Sequence, residues 1–239
     1  MDHLTLNCKS SGQISLFLSD ENVDRLKSVM YSHHFLQQQY LFREGEPARK
    51  LFYINEGQVK IYKLTDDGKE LILYILQEGD MFCEFGGVGD LNFSYSAQAL
   101  TNCNIGMIEH SDLEMLIYQH GDFAVEFLKW MSLWHRKTES KFRDLLLFGK
   151  SGALASTLIR LSNSYGRLTE DGIVLDVKLT NTDIANLIGT TRESVNRLLN
   201  KHKDDGIISM KNGTITIHKL NDLKAIVSCP DCPIEICRI

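Results

Sequence analysis

The chain has 239 residues but only three prolines, two tryptophans and six cysteines, and each scarcity narrows the choice of protein class. Cys8, Cys83 and Cys103 are too scattered for the disulfide framework of a small secreted module, so packed or surface thiols are expected there. No apolar run approaches the roughly 20 residues that a bilayer-spanning helix requires. The start, Met1-Asp-His-Leu-Thr-Leu-Asn, lacks the charged-then-apolar pattern of a secretory leader, which makes a cytoplasmic location the expectation. There are no internal repeats or low-complexity tracts. No phosphate-cradling glycine loop and no nucleophile paired with a base is found, which argues against an enzyme. His33, His34, His110, His120 and His135 show no recognisable haem-ligand spacing.

The net charge of -5 also looks wrong for a nucleic-acid binder until it is divided along the chain. Residues 177–219 carry seven basic and four acidic side chains, a local balance of +3 that leaves -8 elsewhere. Salt screens charge over roughly 8–10 Å, so an acidic remainder does not prevent one basic face from attracting phosphate.

What is present falls into two domains, each long enough to bury a core. Between residues 40 and 108, short apolar segments at 51–54, 58–64, 71–76, 94–100 and 105–108 are cut by glycine-bearing turns, the pattern of a compact antiparallel barrel or jelly roll. A helix is expected over 19–30, with Val23, Leu26 and Met30 on one side. Ser111-Asp-Leu-Glu114 offers a capping box for a further short helix.

Residues 122–148 contain neither proline nor internal glycine, and predict one helix of about 40 Å. Phe127, Met131, Trp134, Thr138 and Leu145 recur on it at three-, four- or seven-residue intervals. The stripe suits either packing on the chain's own barrel or a two-helix dimer seam, and the seam is the expectation. Gly149 stops this helix and is the expected hinge; a helix over 151–165 follows.

Residues 179–202 read as a helix-turn-helix. Thr180-Asn-Thr-Asp183 caps the first helix, which ends at Gly189, and Thr190-Thr-Arg-Glu193 caps the second. Val195, Leu198 and Leu199 face inward, leaving Arg192, Glu193, Asn196 and Arg197 outward near the amino end, the end that enters the major groove in such motifs. Arginine donates two bonds to guanine and glutamate accepts from cytosine. Lys201, Lys203 and Lys211 are expected nearer phosphates. Asn212-Gly213 marks the tip of a following hairpin, because both residues tolerate positive φ.

The last eleven residues hold Cys229, Cys232 and Cys237, a Cys-x2-Cys-x4-Cys spacing interrupted by Pro230 and Pro233. Three thiolates so spaced suit a soft metal, either an iron-sulfur cluster or zinc; unliganded or disulfide-forming thiols are the other reading. A cubane cluster needs a fourth ligand that the tail itself does not supply.

Together, the glycines at 45, 57 and 79, the segment Cys83-Glu-Phe with Ser96-Ala97, the long helix and Thr191-Arg-Glu-Ser-Val-Asn-Arg197 closely resemble the CRP/FNR family of bacterial regulators over nearly the whole chain. The resemblance implies an α+β fold and a cytoplasmic homodimer. Its parts are a cyclic-nucleotide-binding-like double-stranded β-helix (1–121), a dimerisation helix (122–149), a winged helix-turn-helix (150–224) and a cysteine tail (225–239). Arg192, Glu193 and Arg197 match the base-reading triplet of CRP, which implies an inverted TGTGA-type repeat in double-stranded DNA. The tail and the string Lys141-Phe-Arg-Asp144-Leu-Leu-Leu are similar to the Gram-positive branch of FNR, implying a [4Fe-4S] cluster with Asp144 as fourth ligand. Asp144 otherwise reads as a helix-surface carboxylate paired with Lys141 or Arg143. The chain keeps Glu84 and Ser96 of the cyclic AMP site but has Tyr95 where the phosphate-binding arginine belongs, so cyclic AMP is not expected. The turn at Asp66-Asp67-Gly68-Lys69 is, by the same resemblance, a surface for RNA polymerase.

Overall fold

The structure is a computed structural model that describes residues 13–85, 91–211 and 213–239. Cys8, the polar start and Asn212 lie outside the described residues. Packing divides the chain between Leu133 and Trp134 into two compact units. The division falls inside the long helix, upstream of the expected hinge at Gly149.

The first unit is β-rich. Its strands are β1 (Tyr31–Phe35), β2 (Tyr40–Phe42), β3 (Lys50–Glu56), β4 (Gln58–Leu64), β5 (Glu70–Gln77), β6 (Met81–Phe82), β7 (Ser96–Ala99) and β8 (Cys103–Glu109). They form two four-stranded antiparallel sheets, ordered β1-β8-β3-β6 and β2-β7-β4-β5. Alternation places Phe52, Ile54, Val59, Ile61 and Ile105 in the core between them. Cys103 is buried, its thiol donating to the carbonyl of Gln58 at 3.3 Å. Burial pushes the Cys83 thiol up to about 12, which disfavours its thiolate.

Helix α1 (Asp20–Ser28) precedes the sheets, and α2 (His110–Gln119) follows β8. The box expected at Ser111 and Glu114 does not form. The amide of His110 donates to Arg49 at 2.8 Å, so the strand ladder runs directly into the helix and Ser111 already lies inside the first turn.

Helix α3 (Gly121–Tyr165) is broken once, at Gly149, whose φ of 59° and ψ of -157° are open essentially to glycine alone. Of the expected seam, Phe127 is a correction. It is buried in the β-rich unit against Phe85, Phe123 and Trp130, with ring centroids 5.2–6.0 Å apart. Among the exposed apolar side chains nearby are Val125, Leu128 and Met131. A heptad stripe says which side chains align, not which end of the stripe its own domain covers.

In the second unit Thr138 and Leu145 are exposed, together with Phe142, Leu146 and Leu147, while Trp134 is half-buried under the ammonium of Lys137. The remainder of α3 leads into β9 (Gly166–Thr169), β10 (Gly172–Leu175), α4 (Asn181–Ile188), α5 (Arg192–Asp204), β11 (Ile208–Lys211), β12 (Thr214–Ile217) and α6 (Leu220–Ile226). The strands form one antiparallel sheet, ordered β11-β12-β10-β9. Leu154, Leu158, Leu161, Ile184, Val195, Leu199 and Leu223 fill the core. Among the described residues no helix is long and apolar enough to cross a membrane.

Candidate nucleic-acid interface and metal centre

The helix-turn-helix is set by its caps. The Thr180 hydroxyl accepts from the amide of Asp183, whose carboxylate accepts from the amide of Thr180, a reciprocal box that starts α4. Gly189 ends α4 in the left-handed region, with φ 64° and ψ 40°, and turns the chain toward α5. Thr191 rather than Thr190 then caps α5, accepting from Ser194.

This rotation buries Val195 and Leu199 and leaves Arg192, Glu193, Asn196, Arg197 and Lys201 exposed on α5, with Lys211 exposed at the end of β11. The amide at the start of α5, and then the Thr191 hydroxyl, hold the Glu193 carboxyl below its ordinary value. It therefore stays ionised and purely an acceptor, as reading a cytosine amino group requires. Asn181 has no signal of its own in the sequence. Its side-chain amide donates to Asn196 at 3.2 Å, a bond between α4 and α5 that no spacing rule discloses.

His202, in the last turn of α5, is buried with neither ring nitrogen partnered among the described residues, and burial depresses its pKa below 6.5. The unfolded chain then binds the proton more readily. Stability is full above pH 6.5 and is lost as pH falls through the window between 6.5 and the depressed value. One proton limits the slope to about 1.4 kcal/mol per pH unit. Denaturant unfolding between pH 7.5 and 5.5 should show this fall, and His202→Leu should flatten it; an unchanged slope would refute the assignment.

The second constellation is the tail. Ser228 and Asp231 both hold positive φ, 43° and 48°, bending the backbone on either side of Cys229 and just before Cys232. Lys224 donates to the Asp231 carboxylate at 2.7 Å, and the amides of Ile236 and Cys237 return to the carbonyl of Pro233. The tail is also stitched to α3. Arg160 donates to the carbonyl of Ile236 at 3.1 Å, Asn163 donates to that of Cys237 at 2.6 Å, and the Ile239 amide donates to the Ser164 hydroxyl at 3.0 Å.

The result is a recess lined by Cys229, Cys232, Cys237, Asp144 and Arg160. Asp144 is no surface carboxylate: it is 2% exposed and paired with Arg143 and with Arg160, the latter at 3.0 Å. Burial pushes the Cys237 thiol up while Arg160 opposes that shift, and desolvation together with Arg160 and Lys137 lowers Lys141 to about 7. All three tail thiols are free and half-buried.

Among the described residues no three His, Cys, Asp or Glu side chains stand close enough to hold a single metal ion. A cubane iron-sulfur cluster takes its ligands, mostly thiolates, one at each iron corner. Three soft thiols and one carboxylate around one recess fit the donor set of such a cluster.

In the barrel, the carboxylate of Glu84 is engaged by the amide of Ser94, at 2.7 Å, and by its hydroxyl. The Ser96 hydroxyl accepts from the amide of Glu44 at 3.0 Å. Tyr95 joins an aromatic group with Phe42 and Phe93, its centroid 5.8 and 6.4 Å from theirs.

A jelly roll, a long helix and a winged helix-turn-helix define a two-domain DNA-binding transcription regulator. Residues 32–120 match the cyclic nucleotide-binding domain, and residues 152–226 match the Crp-like helix-turn-helix domain. The chain is 42% identical over 230 residues to the "Anaerobic regulatory protein" of Bacillus subtilis (strain 168), covering 93% of this chain and 94% of that protein. It is 28% identical over 202 residues to the "cAMP-activated global transcriptional regulator CRP" of Salmonella typhimurium, covering 84% and 95%. Among solved structures, a CooA mutant from Carboxydothermus hydrogenoformans shares the fold with a TM-score of 0.75 at 23% identity, covering 93% and 98%. The chain belongs to the CRP/FNR family, whose members are transcription regulators and not enzymes.

Proposed function

We propose that this chain is a cytoplasmic, homodimeric regulator of anaerobic gene expression that senses oxygen through a [4Fe-4S] cluster and binds an inverted TGTGA-type repeat. The observation that carries this reading is the recess, where Cys229, Cys232 and Cys237 from the tail meet Asp144 from α3. The name of the Bacillus subtilis relative supports the anaerobic context. When bound, the cluster supplies oxygen-labile iron chemistry.

The chain's own residues do the rest. Ligands from the tail and from α3 join the two elements, adding to the bonds from Arg160, Asn163 and Ser164. Loss of the ligand bonds frees the tail and raises the conformational entropy that DNA binding must remove. Arg192, Glu193 and Arg197 read bases, with Asn196 beside them, while Lys201 and Lys211 meet phosphate. Exposed apolar side chains of α3, Met131 and Leu145 among them, are the candidates for a dimer seam. With Glu84 and Ser96 occupied internally and Tyr95 among aromatic rings, control lies at the tail rather than with cyclic AMP in the barrel. The β4–β5 turn, with Lys69 paired to Asp67, offers the polymerase contact implied by the family.

Protein purified without air should contain iron and acid-labile sulfide, and should bind the inverted repeat at least tenfold more tightly than the same protein after air. Cys232→Ala should behave as the air-treated protein does. Equal affinity in the two states discards oxygen sensing; zinc without sulfide makes the tail structural instead.

A further inference from the structure

Arg160 is the unexpected centre of the tail site. It is 2% exposed, lies on the second part of α3, and donates to four groups: the Ser156 hydroxyl at 3.2 Å, the Ile236 carbonyl at 3.1 Å, the Ser140 hydroxyl at 2.9 Å and the Asp144 carboxylate at 3.0 Å. One guanidinium thus ties both parts of the broken helix to the tail, 76 residues away in sequence. Such a planar fork has no equivalent in lysine, whose single ammonium cannot hold several fixed directions at once.

The carboxylate of Asp144 is claimed by two arginines, and they are not equivalent. Arg143 donates to Oδ1 through Nε at 2.9 Å and through Nη2, but about a third of its side chain is open to water. Arg160 donates to Oδ2, has three further anchors and is enclosed. Both lone pairs of Oδ1 are taken by Arg143, so an iron bond through that oxygen displaces Arg143 and leaves Arg160 on Oδ2 to orient the ligand. The enclosed arginine is the one able to stay.

We propose that Arg160 is the positioning residue of the tail site. It fixes the Asp144 carboxylate and the Ile236 carbonyl on one guanidinium, so the fourth ligand and the tail cysteines are gathered before metal arrives. Arg143 is a displaceable competitor for the same carboxylate. The inference rests on the cluster reading for its metal arm and on tail geometry alone for its other arm.

Full-length Arg160→Met, Arg160→Lys and Arg143→Gln would be compared with the parent protein in two measurements. In anaerobic preparations, iron and sulfide per chain and the visible absorption of the cluster should fall at least fivefold for both Arg160 variants. They should stay within twofold of the parent, or rise, for Arg143→Gln. In iron-free protein, amide hydrogen exchange in the 229–239 peptide should accelerate at least tenfold for both Arg160 variants and remain unchanged for Arg143→Gln. Arg160→Lys keeps the buried charge, so a melting temperature close to the parent's separates lost positioning from lost folding.

Parental loading together with parental tail exchange in either folded Arg160 variant overturns the proposal. A loss of loading in Arg143→Gln equal to that in Arg160→Lys overturns the division of roles. If the parent itself carries neither iron nor sulfide, the cluster reading fails, and the iron-free exchange still decides for or against Arg160.

Discussion

Asp144→Ala should lower the unfolding free energy of the C-terminal unit by about 3–5 kcal/mol even in iron-free protein, because it strips a buried cation of its counter-charge. Arg160 is enclosed, and without Asp144 its guanidinium would face only two hydroxyls and a carbonyl. Those dipoles satisfy its hydrogens but do not neutralise it, and moving the group into water would break all three hydrogen bonds. Asp144→Asn keeps the shape and one acceptor oxygen while losing the charge, so its effect should be smaller, about 1–3 kcal/mol. Calorimetry or denaturant unfolding of iron-free protein checks both, with the two units treated as separate transitions. A loss below about 1 kcal/mol for Asp144→Ala would mean that the pair is solvated in solution, contrary to its enclosure here. The same carboxylate therefore holds the fold together and serves as a candidate ligand, so a metal-binding defect at this position must be read against stability.

How far this arrangement was legible in the sequence depends on the range of the interaction involved. The strands at 51–54, 58–64 and 71–76 and the caps of α4 were readable, because alternation, turn residues and capping boxes act over a few positions. The cysteine spacing was readable for the same reason. Short elements such as β6, with two residues, and α6, with seven, carry too few positions for a period to show. At α2 a real capping pattern lost to a strand ladder that had already positioned His110, a tertiary interaction overriding a local one.

Phe127 and Arg160 illustrate the deeper limit. Phe127 obeys the heptad, yet its own β-rich unit covers it, and the exposed side chain is one residue on. Arg160 looks like any arginine on a helix until the tail returns to meet it. Its partner Asp144 stands out only through the family resemblance; by spacing alone the carboxylate reads as a surface ion pair. Sequence patterns report on neighbours along an element; a buried charge network is defined by neighbours across the fold.

The proposed DNA-reading face carries the largest expected effect on function. In the proposed dimer every substitution acts twice, once in each half-site, so the energy of each base pairing doubles. Arg197→Ala removes a two-bond interaction of about 1–3 kcal/mol per half-site, and thus about 2–6 kcal/mol from binding of the full inverted repeat. That is a weakening from roughly thirtyfold to beyond ten-thousandfold, at fixed salt. Arg192→Ala should act similarly, whereas Glu193→Ala should mainly relax the preference at one base pair, since an acceptor excludes wrong bases as much as it holds the right one. Lys201→Ala and Lys211→Ala should weaken all sequences alike and make the salt dependence shallower by about 0.9 for each phosphate left without its lysine. A mixed dimer with Arg197→Ala in only one subunit should show half the free-energy loss. Full loss from one altered subunit, or none from two, would mean that α5 does not enter adjacent grooves as a symmetric pair, and equal effects of Arg197→Ala on specific and random DNA would move Arg197 from base reading to phosphate binding.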